Sequence, residues 1–261
     1  MRRCKLSWVR FFVVFFLLLE ILSLFYNGES LSDLSYAKPS WTHFLGTNLN
    51  GQDIFARLLL AIKNSFWNNF LTSLLCVALG IFLNLVLFLF NFPHLKKTLL
   101  FLAHLLDTLP IYLIISCCYS FIRAFPEGFQ FFLVILVCPI PFQSILRKQE
   151  TLEKHQLMLS AKQIGCTKLY IFFRYLFPQF KNLLVAEINF LLVKFIKLEI
   201  GLSFIGLKQS YKPTLGLLFA ESSTDMLKGE YTTLFATSVV LFLILFFFNT
   251  SSKKLFSENM C

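Results

Sequence analysis

The chain has 261 residues, of which 57% are hydrophobic and 17% aromatic, and its formal net charge is +10. Soluble domains contain about 45–50% apolar residues, so this composition and a mean hydropathy of +0.70 exclude an ordinary soluble protein. They predict an all-α, polytopic membrane protein. The sequence has no phosphate-binding loop, no paired catalytic carboxylates and no cysteine or histidine cluster with metal-ligand spacing. It therefore predicts no catalytic residue, no metal site and no cofactor bound by this chain.

About six apolar stretches are long enough to form transmembrane helices. The first follows a basic N-terminus, and a cleaved signal peptide is the alternative for it. Glu20 within this run and the lack of a small-x-small cleavage site before Asn27 favour an uncleaved helix. The predicted spans lie at 1–26, 66–92, 99–122, 131–146, 183–207 and 232–248.

Polar segments between the spans give the predicted organisation of the chain. Lys and Arg are concentrated in alternate segments, and such an excess belongs on the cytoplasmic side of a membrane. Both termini are therefore expected in the cytoplasm, and the basic balance requires no nucleic-acid partner. The predicted parts are an N-terminal cytoplasmic end with the first helix (1–26), an outer loop with an amphipathic helix (27–65), a transmembrane core (66–248) with a cytoplasmic loop (147–182), and a cytoplasmic tail (249–261).

The cytoplasmic loop carries a pattern of small residues. Ser160 and Ala161 allow close helix approach, and Gly165 permits a sharp turn without steric cost. Pro178 cannot continue a helix interior and suits the start of the next element. The pattern predicts a helix, a turn, a short helix and a stop.

This pattern resembles the "EAA" loop of binding-protein-dependent ABC importer permeases, although Leu159 replaces the glutamate. In that family the loop docks into a groove on the ATPase subunit. The resemblance implies an ATPase-coupling role for Ser160, Ala161, Gly165, Cys166 and Pro178.

A second motif, HFLGTNLNGQDIFAR, begins at His43. It resembles the H-P-L-G-T-D-x-x-G-R-D-x-x-S-R signature of the C-type permeases of dipeptide, oligopeptide and nickel importers, with Asn48, Gln52 and Ala56 as departures. The glycines are typical of a turn, and the aspartate can cap the following helix. An interfacial helix without a substrate role is the alternative. The matching residues are Gly46, Thr47, Gly51, Asp53 and Arg57.

The third predicted span contains Asp107 and Pro110 in the stretch LLDTLPIYL. A carboxylate in hydrocarbon costs roughly 2.5–3.5 kcal/mol, so Asp107 is expected to face protein or water. The stretch also resembles a family pattern in which proline breaks the helix. A position in the translocation path or gate and a polar bond to a neighbouring helix both remain open.

The fifth predicted span ends in EIGLSFIGL, from Glu199 to Leu207. This stretch resembles the family sequence E-x-x-L-S-F-L-G-L-G. Ser203 and Gly206 are small enough for close helix approach. A following stretch resembles P-x-x-W-G, with Leu215 in place of tryptophan. Glu199, Ser203 and Gly206 join Asp107 and Pro110 as candidates for the translocation path or gate.

Together these resemblances imply an ABC type I importer permease fold in a bacterial cytoplasmic (inner) membrane. They imply that the chain moves dipeptides or oligopeptides, with nickel as another cargo in the family. Implied partners are a second, B-type permease, two ATP-binding subunits that hold ATP and Mg, an extracytoplasmic solute-binding protein and membrane lipid. The chain itself is not expected to be an enzyme. The alternatives are a secondary transporter or channel, and a transport-inactive structural subunit.

Overall fold

The computed structural model describes residues 35–41, 43–90, 92–108, 111–122, 129–154, 160–161, 163–206 and 212–257. Apart from a bridge between Thr47 and Asp53, the regular elements in these residues are helical, which confirms the all-α class. The predicted first span at 1–26 lies outside the described residues. The elements are α1 (Ile54–Phe90), α2 (Pro93–Thr108), α3 (Ile111–Ile122), α4 (Phe129–Val137), α5 (Pro139–Glu153), α6 (Lys168–Ile171), a π-helical turn (Phe172–Leu176), α7 (Phe177–Phe204), α8 (Leu215–Met226) and α9 (Thr232–Ser257).

Helix α1 joins two elements that the sequence suggested were separate. The predicted amphipathic helix before residue 65 and the span at 66–92 form one helix of 37 residues. The segment contains no proline, and Gly80 is its single glycine, so nothing in it breaks the helix. Such a helix is about 55 Å long, which exceeds the ~30 Å hydrocarbon layer. Part of α1 therefore extends beyond the hydrocarbon.

Three helical stretches among the described residues are long and apolar enough to cross a membrane: Ile54–Phe90, Gln130–Glu153 and Thr232–Thr250. A fourth arises if Pro93–Leu106 and Ile111–Cys118, which meet at 102°, form one bent span. Helix α7 covers most of the predicted span at 183–207 and has 28 residues, but its Lys and Glu side chains make it more polar. The chain is a multi-pass membrane protein, and the predicted number of six spans is approximate.

The described residues form two compact units, 35–68 with 199–244 and 69–198 with 245–257. In the first unit, α8 packs its apolar face on α1 and α9. From the sequence, the segment between the predicted fifth and sixth spans, 208–231, is expected to be a polar outer loop, and α8 was missed. Thr214 caps this helix by accepting a hydrogen bond from Leu217 N–H. The buried cluster comprises Leu58, Ala61, Ile62, Leu215, Leu218 and Leu241.

In the second unit, α6, the π-helical turn and the start of α7 pack against α5 and the end of α1. Lys168 of α6 donates through Nζ to the carbonyl oxygen of Leu89, at 2.9 Å. The last carbonyls of a helix lack intrahelical donors, so this lysine caps the C-terminus of α1. The core here comprises Phe88, Ile145, Leu152, Ala161, Ile171, Phe172, Leu176 and Phe180.

Pro178 lies at the start of a helix, as predicted, but the predicted stop before it is wrong. Helical structure continues from Lys168 through the π-helical turn into α7, and Pro178 is the second residue of α7. Proline has no N–H, and its ring clashes with the carbonyl four residues earlier. The wider turn before it, in which Phe177 N–H donates to Phe172 O, accommodates the proline without ending the helix.

Candidate functional site

A network of backbone hydrogen bonds holds the loop before α1. Gly46 and Gly51 have φ values of +79° and +71°, which residues other than glycine rarely adopt. Thr47 N–H donates to Ala37 O at 3.1 Å, and Ile54 N–H donates to Gly46 O at 3.2 Å. A Cβ at Gly46 would lie 2.5 Å from the Ala37 carbonyl oxygen. Both backbone conformation and lack of space therefore require glycine at position 46.

Asp53 connects this loop to the first turn of α1. Its Oδ1 accepts hydrogen bonds from Phe55 N–H at 2.8 Å and Ala56 N–H at 3.4 Å. Its Oδ2 lies 3.1 Å from His43 Nδ1. The side chain is almost fully buried. Asp53 therefore caps α1, the structural role that its place in the sequence indicated.

Two of the departures from the outer-loop motif contact each other. Asn48 Oδ1 accepts from Asn50 N–H at 3.0 Å and from Gln52 N–H at 2.9 Å. Asn48 Nδ2 donates to Gln52 Oε1 at 3.2 Å. The signature has a carboxylate and a guanidinium at these positions, so a neutral amide pair stands where the signature has opposite charges.

Two polar contacts connect the loop and α1 to α8. Arg57 Nη2 lies 3.0 Å from Glu221 Oε2. Tyr36 donates through its hydroxyl to Asp225 Oδ1 at 3.1 Å. Desolvation, with the hydrogen bond and charge of Asp225, raises the pKa of Tyr36 above its ordinary value. A phenol is protonated at neutral pH even at its ordinary pKa, so Tyr36 is the donor in this contact.

The candidate path residues at the end of α7 meet α1 and α8. Glu199 is 7% exposed, and its Oε1 accepts from Ser65 Oγ at 2.7 Å. Ser65 Oγ in turn accepts from Leu215 N–H, the first residue of α8, at 2.8 Å. A Cβ at Gly216 would lie 2.7 Å from both Glu199 O and Ser203 Oγ. These residues form a tightly packed polar junction.

The small-residue pattern around Ala161 and Gly165 forms a helix C-cap. Gly165 has φ +87°, and Cys166 N–H donates to Ala161 O, five residues back, at 3.2 Å. This is the main bond of a Schellman motif. Ala161 is buried and Cys166 packs against its cluster, while Ser160 is exposed. Apart from its chain neighbours, no described atom lies within 4 Å of a Cβ built at Gly165, so the predicted turn needs glycine for its backbone conformation and not for lack of space.

Comparison with known proteins places this architecture in a family. Residues 76–259 match the family described as "Binding-protein-dependent transport system inner membrane component". The chain belongs to this family. The permease fold is thereby confirmed, and the OppC relatives described next confirm the resemblance to C-type subunits of binding-protein-dependent ABC importers. Permease subunits of this kind work within ABC transporter complexes and are not themselves the catalytic subunits.

Several relatives cover most of this permease. It is 27% identical over 246 residues to "Oligopeptide transport system permease protein OppC" of Lactococcus lactis subsp. cremoris (strain SK11), covering 90% of this chain and 83% of the relative. It is 24% identical over 233 residues to "Oligopeptide transport system permease protein AmiD" of Streptococcus pneumoniae (strain ATCC BAA-255 / R6), covering 84% and 74%. It is 22% identical over 225 residues to OppC of Mycobacterium bovis (strain ATCC BAA-935 / AF2122/97), covering 84% and 76%.

The structure of this permease groups some of the predicted site residues and leaves others apart. The outer-loop motif and Glu199, Ser203 and Gly206 belong to one compact unit, and the coupling-loop residues belong to the other. The side chain of Asp107 and all of Pro110 lie outside the described part of the chain. Gly206 has φ +87° and follows the end of α7.

Sequence reasoning missed residues that complete the junction at Glu199. Ser65 and Asn64 lie inside α1, at the border between two elements predicted as separate. Asn64 Nδ2 donates to Pro213 O at 2.9 Å. The available signal was a pair of adjacent polar residues, because buried polar side chains in a membrane protein generally have partners. It was a weak signal, since α1 contains two more such pairs, at Asn68–Asn69 and Thr72–Ser73.

Proposed function

We propose that this chain is the permease subunit of an ABC importer that moves oligopeptides across the cytoplasmic membrane of a bacterium. The observation that carries this proposal is the similarity, over 84% or more of the chain, to permeases that are all named for oligopeptide transport. Dipeptides and nickel are the other cargoes implied by the C-type signature. The chain binds no cofactor in this account, and ATP and Mg are bound and used by partner subunits.

The proposed partners are a second, B-type permease, two ATP-binding subunits, an extracytoplasmic solute-binding protein and membrane lipid. The coupling loop supports the ATPase contact because apolar side chains around its turn are exposed within this chain. Ile164, next to Gly165, is 81% exposed. Exposed apolar groups next to a rigid turn are typical of a docking surface. The other exposed apolar side chains near this turn are Leu169, Tyr170 and Phe173.

The proposed topology has both termini in the cytoplasm. Basic residues support this orientation through the positive-inside rule. Lys96 of α2 pairs with Glu150 of α5, and Lys168 and Arg174 lie in the coupling segment. The loop before α1 and helix α8 are then extracytoplasmic, where the solute-binding protein delivers cargo.

The candidate path residues take different roles in this proposal. Asp107 and Pro110 stay candidates for the path or gate, at the break between α2 and α3. Gly206 ends α7. Glu199 and Ser203 are buried in the junction with α8, which favours support of the path over direct cargo contact.

ATPase stimulation tests this proposal. The purified complex in lipid nanodiscs is mixed with its solute-binding protein, loaded in turn with a dipeptide mixture, an oligopeptide mixture or Ni²⁺. We expect oligopeptide-loaded binding protein to stimulate ATP hydrolysis most. Stimulation by Ni²⁺ or dipeptides alone would correct the cargo. No stimulation by any loaded form would favour a transport-inactive subunit.

A further inference from the structure

Ser65 occupies the centre of the junction between α1, α7 and α8. Its side chain is fully buried. A serine hydroxyl has one donor and two acceptor lone pairs, and here Ser65 uses both functions. It donates to Glu199 Oε1 at 2.7 Å and accepts from Leu215 N–H at 2.8 Å. The carboxylate of α7 is therefore joined to the backbone of α8 through one hydroxyl group of α1.

The partner in α8 is the first residue of the helix, whose N–H has no intrahelical acceptor. Ser65 supplies that acceptor, and Thr214 Oγ1 supplies one for Leu217 N–H at 3.3 Å. The positive end of the helix dipole lies at this terminus, where a nearby carboxylate is favourable. Asn64, the neighbour of Ser65, holds the preceding residue through its bond to Pro213 O. The start of α8 is thus fixed by adjacent residues of α1.

The third side of the junction is the backbone of α7. Gly216 leaves no room for a side chain, because a Cβ there would lie 2.7 Å from both Glu199 O and Ser203 Oγ. Close packing on α7 and hydrogen bonding to α1 therefore act on the same turn of α8. Displacing α8 from α1 would break the Ser65–Leu215 bond.

We propose that Ser65 is a positioning residue for transport: it holds the N-terminus of α8 in place. Glu199 acts indirectly, by holding the Ser65 hydroxyl in the orientation that accepts the hydrogen bond from Leu215 N–H. Glu199 serves as a hydrogen-bond acceptor in this junction and does not touch cargo. The proposal rests on the importer function proposed above for its transport assay, and its structural part is independent of that function.

The test uses the whole transporter complex in proteoliposomes, with ATP inside and a labelled oligopeptide mixture outside. Uptake is measured against the concentration of loaded binding protein for Ser65→Ala, Glu199→Gln, Glu199→Leu and the Ser65→Ala/Glu199→Leu double variant. Co-purification of the partners checks assembly. Gln keeps an acceptor oxygen at position 199, whereas Leu removes it, so these two variants form a matched pair.

We expect Glu199→Leu to lower the maximal uptake rate by about tenfold, the effect of one buried hydrogen bond. Ser65→Ala removes two hydrogen bonds and should lower the rate at least as much. Glu199→Gln should keep most of the rate. The half-saturating concentration of binding protein should not change. The double variant should be no worse than the worse single variant, because both changes break one connection.

Three results would overturn the proposal. The first is a loss in Glu199→Gln as large as in Glu199→Leu, with a raised half-saturating concentration, since that pattern assigns the carboxylate charge to cargo or binding-protein contact. The second is a normal rate in Ser65→Ala. The third is multiplied losses in the double variant, which would show independent roles.

A second pair of variants covers failure of Ser65→Ala to assemble. Leu215→Pro removes the N–H group that donates a hydrogen bond to Ser65. The control, Leu215→Ala, also shortens the side chain but keeps that N–H group. Proline is tolerated at the first position of a helix, and Thr214, with φ −125° and ψ 161°, has the extended backbone that precedes proline. Uptake should be lower in the proline variant, and equal losses would contradict the proposal.

Hydrogen exchange separates this proposal from the proposed function. If the wild-type complex imports no peptide, the importer function fails, but the junction can still be measured in that complex. Ser65→Ala should then accelerate amide exchange at the start of α8, while Ser223→Ala, on the same helix but outside the junction, should leave it unchanged. Unchanged exchange in Ser65→Ala would overturn the junction itself.

Discussion

The side-chain amide of Asn48 donates to Oε1 of Gln52 at 3.2 Å, within the loop that precedes α1. Asn48 cannot reverse its amide, because its Oδ1 already accepts two backbone N–H groups, from Asn50 and Gln52. The pair therefore depends on an acceptor at position 52. The two replacements in the motif are physically coupled.

A charge introduced at position 52 alone is expected to destabilise the loop more than opposite charges introduced at positions 48 and 52 together. Gln52→Arg places a donor opposite the donor Nδ2 of Asn48, and should lower the free energy of unfolding by about 1 kcal/mol. Adding Asn48→Asp provides a carboxylate for the guanidinium and should restore stability. Thermal unfolding of the detergent-solubilised complex compares the wild type, the two single variants and the double variant in a double-mutant cycle. Additive effects of the two substitutions would contradict the coupling.

Gly46→Ala should destabilise the loop more than Gly165→Ala destabilises the coupling segment. Both glycines have positive φ, so each alanine has a similar backbone strain of about 1 kcal/mol. At Gly46 the added Cβ also meets the Ala37 carbonyl oxygen at 2.5 Å, whereas the space at Gly165 is open. Limited proteolysis and thermal unfolding compare the two variants. Equal destabilisation would show that the contact at position 46 relaxes without cost.

Substitutions at Gly165 should impair the coupling of ATP hydrolysis to uptake by an amount that depends on how well the new residue tolerates positive φ. Asparagine tolerates positive φ better than other non-glycine residues, whereas a β-branched residue is strongly disfavoured there. Gly165→Asn should therefore retain ATP-driven uptake, and Gly165→Val should lower uptake relative to ATP hydrolysis. Because space around Gly165 is open within this chain, the defect is expected from the displaced backbone, at a strain of about 1–3 kcal/mol. Normal coupling in Gly165→Val would contradict this role.

Cross-linking gives a further test at the same turn. Cys166 is half-buried and follows Gly165 directly. If the segment docks on the ATPase, cysteines placed along the ATPase groove should cross-link to Cys166, and nucleotide should change the yield. The matched control is Cys166→Ser, which should abolish the product. No product at any groove position would exclude docking at this turn.

Pro178 should maintain the π-helical turn before it. In Pro178→Ala the missing N–H returns and the ring clash disappears, so regular α-helical geometry becomes accessible. We expect the helix before it to rotate, which changes the exposure of neighbouring side chains. Thiol labelling measures this at Phe172→Cys, which is buried, and Phe173→Cys, which is exposed. An unchanged labelling pattern in Pro178→Ala would show that buried packing, and not proline, sets the π-helical turn.

Local patterns predicted some structural features well. Asp53 could be identified as a helix cap because capping depends on residue type and on the few residues that follow it. Gly46, Gly51 and Gly165 all have the positive φ that marks glycine turns. The all-α class followed from composition, because a lipid-exposed backbone must satisfy its own hydrogen bonds.

Features that depend on tertiary contacts were not predictable in the same way. Helix α8 was missed because the segment between the last two predicted spans is polar as a whole, although the first half of α8 is apolar. Its stability comes from packing Leu215 and Leu218 on α1 and α9. Ser65 was missed because its two partners are 134 and 150 residues away in the chain. The stop predicted at Pro178 ignored a wider helical turn as a way to accommodate proline. Each error reflects packing or geometry that a local pattern does not contain.

ATP-dependent peptide uptake tests the central claim most directly. The permease is reconstituted with its partner permease, ATPases and solute-binding protein, and accumulation of a labelled oligopeptide is followed with ATP, with a non-hydrolysable analogue and with an ion gradient alone. We predict accumulation only when hydrolysable ATP and the binding protein are both present. Accumulation driven by the ion gradient without ATP would identify a secondary transporter and contradict the account.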